Sequence, residues 1–389
     1  MQNKPLRIMI VGAGAIAAVH ISAYKMFPDM CRVVAVCDVF EEKAHALIAQ
    51  TEIDAKAYTD YREALSDSGA NIVSICLPPA MHASVAIDAL NAGKHVLCEK
   101  PMASSLAECD AMLAAARGSG ALLSVVAQNR YKIPNQKIKA LLDSGIAGPV
   151  LLATINSLWW RGNNYYDLWW RGTWEREGGG CFSSHAVHHI DLLLWMLGMP
   201  QSVTAVLSNV AHDNSECEDV GVAVLQYPHT LAQITSSIVT HDEEQEIIFQ
   251  CSKGRLSVPW RPAVSKALPN GFPESDGAAY DALEAAYRAL PESPLEGHPA
   301  QVRNLLSAIR GEESLDIDGQ QGRTTIELIT AIYKSAYTKT PIGLPLAADD
   351  PFAAKGGIAS HMPHFHEKTR SVDNFKSTTP ITLGRNVGK

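Results

Sequence analysis

Three histidines and an aspartate fall within seven residues of this chain, at His185, His188, His189 and Asp191, behind Glu177 and three consecutive glycines. Imidazoles titrate near neutrality, so the run offers a general base of the kind that removes a hydroxyl proton as an alcohol is oxidised. His185, His188, His189 and Leu192 recur at helical spacing, which places at least three of these side chains on one face. His188 is the candidate base, with Ser184 or Asp191 as its partner, and His185 lies beside it as a candidate substrate contact. His189 shares its side with apolar neighbours and reads as a hydrogen-bonded core residue. The segment lacks a His-Glu-x-x-His spelling, and no cysteine or carboxylate elsewhere stands at recognisable ligand spacing, so no metal is expected.

A second chemistry is written near the start. Gly12, Ala13, Gly14, Ala15, Ile16 and Ala17 follow an apolar strand and open a helix. Small residues there let backbone approach a pyrophosphate, and the helix N-terminus faces its charge. Asp38 ends the second strand, where it accepts hydrogen bonds from a ribose 2'-hydroxyl and repels a 2'-phosphate, which favours NAD over NADP. Asp38 as the N-cap of the helix from Glu41 is compatible with that role. Two further strands end abruptly, at Leu77, Pro78, Pro79 and His82, and at Glu99, Lys100 and Pro101. Their prolines hold extended exits, which would set the neighbouring side chains beside the nicotinamide ribose and ring; a surface Glu99–Lys100 ion pair is the plainer alternative.

Between these two groups lies a loop, residues 158–176, that holds five of the seven tryptophans. Flat aromatic faces beside polar side chains suit a sugar ring, with its apolar faces and hydroxyl rim. Arg161, Tyr165, Trp170 and Arg171 of this loop, together with Asn129 and Arg130, are candidate substrate contacts. An oligomer interface, also rich in Trp, Tyr and Arg, is the competing explanation.

The elements that would carry these residues are legible as periodicity. Residues 7–11, 32–37, 71–77, 95–98 and 122–127 read as short strands alternating with helices, the pattern of an α/β, doubly wound parallel sheet. After a break at 144–149 the pattern becomes long strands at 150–158, 203–210, 220–227, 231–239 and 246–251, read as a largely antiparallel second sheet. Residues 259–277 read as a loop, 280–290, 299–310 and 321–337 as helices, and 347–389 as an extended arm. The expected division is therefore 1–130, 131–346 and 347–389. A chain of 389 residues, 47% apolar and 19% charged, supports two packed domains. The net charge of −8 without basic clusters argues against nucleic acid or an anionic membrane as partner and favours a neutral or cationic small substrate. Eight scattered cysteines without a Cys-x-x-Cys pair suit buried thiols in a reducing compartment. With no leader-like start and no run of membrane-spanning length, a cytoplasmic location is expected.

Taken together, the turn at 12–17, Leu77-Pro-Pro to His82, Glu99-Lys100-Pro101, the triple glycine leading to His188-x-x-Asp191, and Gly297-His298 through Gly322-Arg323 to Leu344-Pro345 resemble the glucose-fructose oxidoreductase, inositol dehydrogenase and rhizopine-catabolism (Gfo/Idh/MocA) oxidoreductases. The resemblance covers most of the chain. It implies an N-terminal Rossmann domain, a C-terminal α+β domain with an open-faced, mainly antiparallel sheet that supports homo-oligomers, and NAD-dependent oxidation of sugars, inositols or glycosides. Lys100 then matches the catalytic lysine and His188 the catalytic histidine. The family often has Asp or Asn four residues before that histidine, where this chain has Ser184. Some relatives cleave glycosides by transient oxidation with no net redox change, and one acts as a regulator without catalysis.

Overall fold

The computed structural model describes residues 4–375. Six parallel strands form the N-terminal sheet: β1 (Leu6–Val11), β2 (Cys31–Cys37), β3 (Lys56–Tyr58), β4 (Ile72–Ile75), β5 (His95–Cys98) and β6 (Leu123–Val125), in the order β3-β2-β1-β4-β5-β6. The order reverses between β1 and β4, and ligands of such sheets lie at that crevice, beyond the carboxyl ends of the strands. The strands are nearly continuous apolar runs because both faces are covered by helices.

One of those helices comes from far along the chain. Gly297–Ile309 lays Val302, Leu305 and Leu306 into the core formed by Ile8, Ile10, Ile21 and Leu97. A helix from the 131–346 segment thus completes the N-terminal layer.

The second sheet contains β7 (Val150–Leu158), β8 (Ser202–Ser208), β9 (Val220–Gln226), β10 (Leu231–Ser237), β11 (Gln245–Cys251) and β12 (Gly254–Val258). A hairpin, β13 (Ser265–Ala267) with β14 (Pro273–Ser275), stands apart, and β15 (Ile342–Gly343) closes the edge of an order β12-β11-β7-β10-β9-β8-β15. The sheet is mixed: β7 and β10 run parallel and the other neighbours antiparallel. Strict alternation in β8 and β9 turns one face onto the helix Gly319–Thr338 and leaves the other open. On the open face Leu152, Val206, Val222, Val224 and Leu231 are exposed.

The architecture agrees with the sequence reading, with local differences. Strands β3 and β15 are too short for their period to register, and β12 falls among residues 252–258, to which the sequence reading assigns no element. The 259–277 loop contains the β13–β14 hairpin. The 347–375 part of the arm is not featureless: it carries a 3-10 turn at Pro351–Ala353 and a short helix at Gly357–His361. It then folds back on its own chain, where Trp169 N–H donates to the Val372 carbonyl at 3.0 Å and Trp174 Nε1 to Pro363 at 3.1 Å. Residues 376–389 of the expected arm lie outside the described residues.

Because Leu305 is fully buried between the returning helix and the N-terminal sheet, Leu305→Ala should lower unfolding free energy by about 2–5 kcal/mol. Chemical denaturation followed by circular dichroism checks this; a change under about 0.5 kcal/mol, the scale of a surface substitution, would show that the helix is not part of that core.

Candidate active site

At the switch point, Gly12 has φ +95°, and a Cβ there would stand 2.5 Å from the Cys76 carbonyl oxygen. Only glycine lets β1 turn this tightly against β4. Gly14 is different, because a Cβ there meets no protein atom within 4 Å. It begins the helix Ala15–Lys25, whose first turn has no acidic residue and no side-chain cap. The free N–H groups of that turn, with Ala15 and Ile16 at its start, face open space and fit a pyrophosphate. Asp38 Oδ2 accepts from Ala13 N–H at 2.8 Å and Oδ1 from Phe40 N–H at 3.0 Å, which fixes the carboxylate beside the glycine turn. It does not cap the next helix; Phe40 occupies that position. These residues fit NAD, with Asp38 placed for a ribose hydroxyl.

The two proline exits are joined by one histidine. His82 is fully buried, with Nδ1 2.8 Å from the Pro101 carbonyl and Nε2 2.8 Å from that of Leu77. The sequence reading placed His82 at the cofactor; the structure places its ring behind both turns, as a fastener between them. Glu99, expected beside the cofactor, is likewise turned inward, and the plainer alternative of a surface ion pair with Lys100 does not form either. Its Oε1 lies 2.9 Å from His20 Nε2, and its Oε2 accepts from Lys100 N–H at 3.1 Å. Burial pushes the Glu99 carboxyl up, but the hydrogen bond of His20, the approach of His298 and the charges of His20 and Lys100 overcome this and hold it well below the usual carboxylate range. Burial lowers His20, and Cys76 and Glu99 outweigh it, raising His20 to about 10.

Lys100 and His188 line one recess with Met102, Val126, Asp191 and Thr325. Lys100 Nζ donates to the Ser184 carbonyl at 3.3 Å. Burial lowers the Lys100 ammonium pKa against the opposing charge of Glu99, and burial with the Lys100 charge holds His188 well below its usual value. His188 is therefore neutral at neutral pH. Neither expected partner engages it. Ser184 Oγ donates to the Gly180 carbonyl and meets His185 Nδ1, both at 2.8 Å. Asp191 grips Arg130 at 2.8 and 2.6 Å, and Arg130 Nη1 donates to Gln321 Oε1 at 2.7 Å. Two candidate substrate contacts thus meet each other and tie the turn Gln128–Tyr131 to the His188 helix. His189 is buried, as expected of a core residue, though its Nδ1 has no hydrogen-bond partner.

The aromatic loop divides. Trp159 and Trp174 are core residues, while Trp160 is exposed and stacks on His241. Arg171 lies between the rings of Tyr165 and Trp170, 4.1 Å from each, and its Nη1 donates to buried Glu177 at 2.8 Å. Tyr165 reaches the His185 ring at 5.9 Å, and Arg161, paired with Glu243 at 2.6 Å, stands 5.6 Å from Tyr165. Tyr165, Trp170 and Arg171 thus form a stacked wall toward His185.

Sequence reasoning missed Glu218. This buried carboxylate accepts from Gly180 and Phe182 N–H, both at 3.0 Å, and contacts Tyr333 Oη at 2.9 Å. It clamps the start of the His185–His188 segment against β9. A Cβ on Gly180 would lie 1.9 Å from the Glu218 carbonyl oxygen, which explains the glycine. The only sequence signal was an acidic pair, Glu218-Asp219, directly before an apolar strand.

A doubly wound sheet with a glycine turn and Asp38 at its switch point, facing a lysine and a neutral histidine, defines a dinucleotide-dependent oxidoreductase. The family model described as "Oxidoreductase family, NAD-binding Rossmann fold" matches residues 6–127, and the GFO/IDH/MocA C-terminal domain matches residues 135–257. The chain belongs to the Gfo/Idh/MocA family of NAD-binding oxidoreductases. It is 25% identical to D-glucoside 3-dehydrogenase of Escherichia coli K12, over 88% of this chain and 99% of that one. It is 30% identical to an uncharacterized oxidoreductase of Schizosaccharomyces pombe, over 87% and 99%. Among solved structures, the WlbA dehydrogenase from Bordetella pertussis in complex with NADH and UDP-GlcNAcA superposes with TM-score 0.77 at 30% identity, covering 89% of this chain and all of that one.

Burial raises Glu218 from 4.5 to about 7. A folded-state value above the unfolded one means its contribution to stability is full below the unfolded value and is lost as pH rises through about 7. The stability of the protein relative to Glu218→Gln should therefore fall by about 3 kcal/mol between pH 4.5 and 7. Urea unfolding across that range checks it; parallel pH profiles for the two proteins would contradict the assignment.

Proposed function

We propose that this enzyme oxidises a secondary alcohol of a sugar, inositol or glycoside, or reduces the matching ketone, with Lys100 and His188 as its catalytic pair. The observation that carries this is their shared recess, next to the stacked wall of Tyr165, Trp170 and Arg171. Bound NAD supplies acceptance of the hydride from the carbinol carbon. The glycine turn, the helix Ala15–Lys25 and Asp38 hold it. His188, kept neutral by burial and by the Lys100 charge, takes the hydroxyl proton. Lys100 remains an ammonium donor to the substrate oxygen and stabilises the negative charge that develops there. Similarity to a D-glucoside dehydrogenase over nearly the full length of both chains, and to a dehydrogenase solved with a nucleotide sugar, supports the substrate class.

Incubation with NAD and a panel of inositols, free sugars and aryl glycosides, following NADH absorbance and aglycone release together, tests the reading. NADH should accumulate with one substrate class, and Lys100→Ala and His188→Ala should each slow turnover by roughly 10²–10⁴. An unchanged rate in either variant, or aglycone release without NADH, would overturn it.

Two finer points belong to the same reading. No helix among the described residues is long and apolar enough to cross a membrane, and we take the enzyme to be cytoplasmic, a compartment that a fluorescent fusion would report. We take the open face of the second sheet as a self-association surface, since it exposes Leu152, Val206, Val222, Val224 and Leu231 on four neighbouring strands and such exposure is otherwise costly in water. Val224→Lys should shift the sedimentation coefficient to that of a monomer; an unmoved boundary would place the interface elsewhere.

A further inference from the structure

The Gly297-His298 motif plays no part in the site above; His298 instead reaches Glu99 from the returning helix. His20, Glu99 and His298 converge from three separate elements: the middle of helix Ala15–Lys25, the end of β5 and the start of helix Gly297–Ile309. Their donor atoms all lie within 4.8 Å of one another, and among the described residues no other three metal-binding side chains do so. His20 Nε2 is 2.9 Å from Glu99 Oε1, and His298 Nε2 is 3.8 Å from the same oxygen. A tetrahedral ion bonded at about 2.0–2.1 Å holds its ligands about 3.3 Å apart, so these spacings bracket that geometry.

Two further features match a metal site. His20 Nδ1 is hydrogen-bonded to Ser74 Oγ at 2.8 Å, an outer partner that fixes the ring and leaves Nε2 directed at Glu99; the proton that Nε2 shares with Glu99 would pass to solvent as the ion binds. His298 Nε2 is shut away from solvent, and among the described residues no hydrogen-bonding group meets it more closely than Glu99 Oε1 at 3.8 Å; a buried nitrogen held so loosely is unusual unless something occupies its lone pair. The His185–His189 run, where the sequence concentrates imidazoles, does not converge in this way.

We propose that His20 Nε2, Glu99 Oε1 and His298 Nε2 form a binding site for a zinc-class divalent ion, distinct from the Lys100–His188 recess. Two imidazoles and one carboxylate favour zinc, cobalt or nickel over magnesium or calcium, which require oxygen-rich shells. The ion would pin the returning helix Gly297–Ile309 to the cofactor-binding helix. It would also fix Glu99, whose second oxygen holds the Lys100 backbone. The site would therefore be structural, acting on the position of the catalytic lysine from behind.

The test uses the full-length protein freed of metal by chelation and dialysis, titrated with zinc chloride by calorimetry and with cobalt chloride by visible absorption. One equivalent of zinc, a rise in melting temperature on binding, and the intense ligand-field bands of tetrahedral cobalt are expected. His298→Ala and His20→Asn should each weaken zinc at least 10-fold and abolish the cobalt bands, while His185→Ala and His364→Ala should leave both unchanged. NAD binding by fluorescence shows whether each variant is folded. Should His20→Asn fail to fold, His298→Ala alone decides, since its ring is at the edge of the core. Absence of a one-equivalent transition in the unaltered protein would overturn the proposal. So would unchanged binding in a folded His298→Ala, or loss of binding in His185→Ala or His364→Ala instead.

Discussion

A guanidinium and a carboxylate taken out of water together set the geometry on which this site rests. Arg130 and Asp191 have side chains only 7% and 10% exposed. Removing each ion from water costs several kcal/mol, offset only where the pairing is close and the remaining protons are satisfied. Here the contact is bidentate, and the third direction of the guanidinium is filled by Gln321. Arg130 follows β6 almost directly, and Asp191 stands one helical turn beyond His188. The pair therefore fixes how far the strand ends that carry Lys100 lie from the helix that carries His188. Loss of either partner would leave a buried charge and free that spacing at the same time.

The same economy of charge runs through the other acidic groups. Glu177 holds Arg171 and the Gly172 N–H, Glu218 holds the turn before His185, and Glu99 holds the Lys100 N–H. Each carboxylate near the cleft is committed to keeping backbone or an arginine in place. The proposed catalytic pair is left without one: Lys100 reaches a carbonyl, and His188 has no hydrogen bond among the described residues. In a partly dry recess, burial lowers both pKa values, with the Arg171 charge adding to the effect on Lys100 and the Lys100 charge to that on His188. A carboxylate placed directly on His188 would have raised its pKa and made the imidazolium the resting form. The arrangement instead keeps an imidazole ready to accept a proton at neutral pH.

Much of this was legible in the sequence, for reasons that differ by residue. Strands β7, β9 and β10 were recognisable because long runs of β-branched residues leave one period, and the glycine turn because a strand, two glycines and a helix in that order have few other uses. Lys100 and His188 were legible as types at strand and helix ends. What failed was the direction of side chains. Asp191 and Arg130 look like surface hydrogen-bonding residues in a list, and only the fold shows that they face each other. The tryptophans of 158–176 read as one functional loop, yet Trp159 and Trp174 turn into the core while Trp160 turns out. Glu218 lies 30 or more residues from the histidines it steadies, and a carboxylate at the start of a strand carries no periodic signal. Helix Gly297–Ile309 was visible as a helix, but its return to the first domain is a long-range contact that local pattern does not encode.

The histidines make the general point most sharply, since composition treats them alike and the structure does not. His82 lies between two carbonyls and His20 between a serine and a carboxylate, so both rings act as connectors. His185 is tied to Ser184 and walled by Tyr165 and Trp159. His189 is buried without a carboxylate, and burial lowers it to about 4, which keeps it a neutral core group. His188 alone of these combines partial exposure to the cleft, a nearby ammonium and a ring with no internal partner. An imidazole whose nitrogens are both held by protein groups is not free to exchange a proton with a substrate, and one sealed in the core has no substrate to take it from. The ability to act as the base follows from what His188 lacks as much as from where it stands.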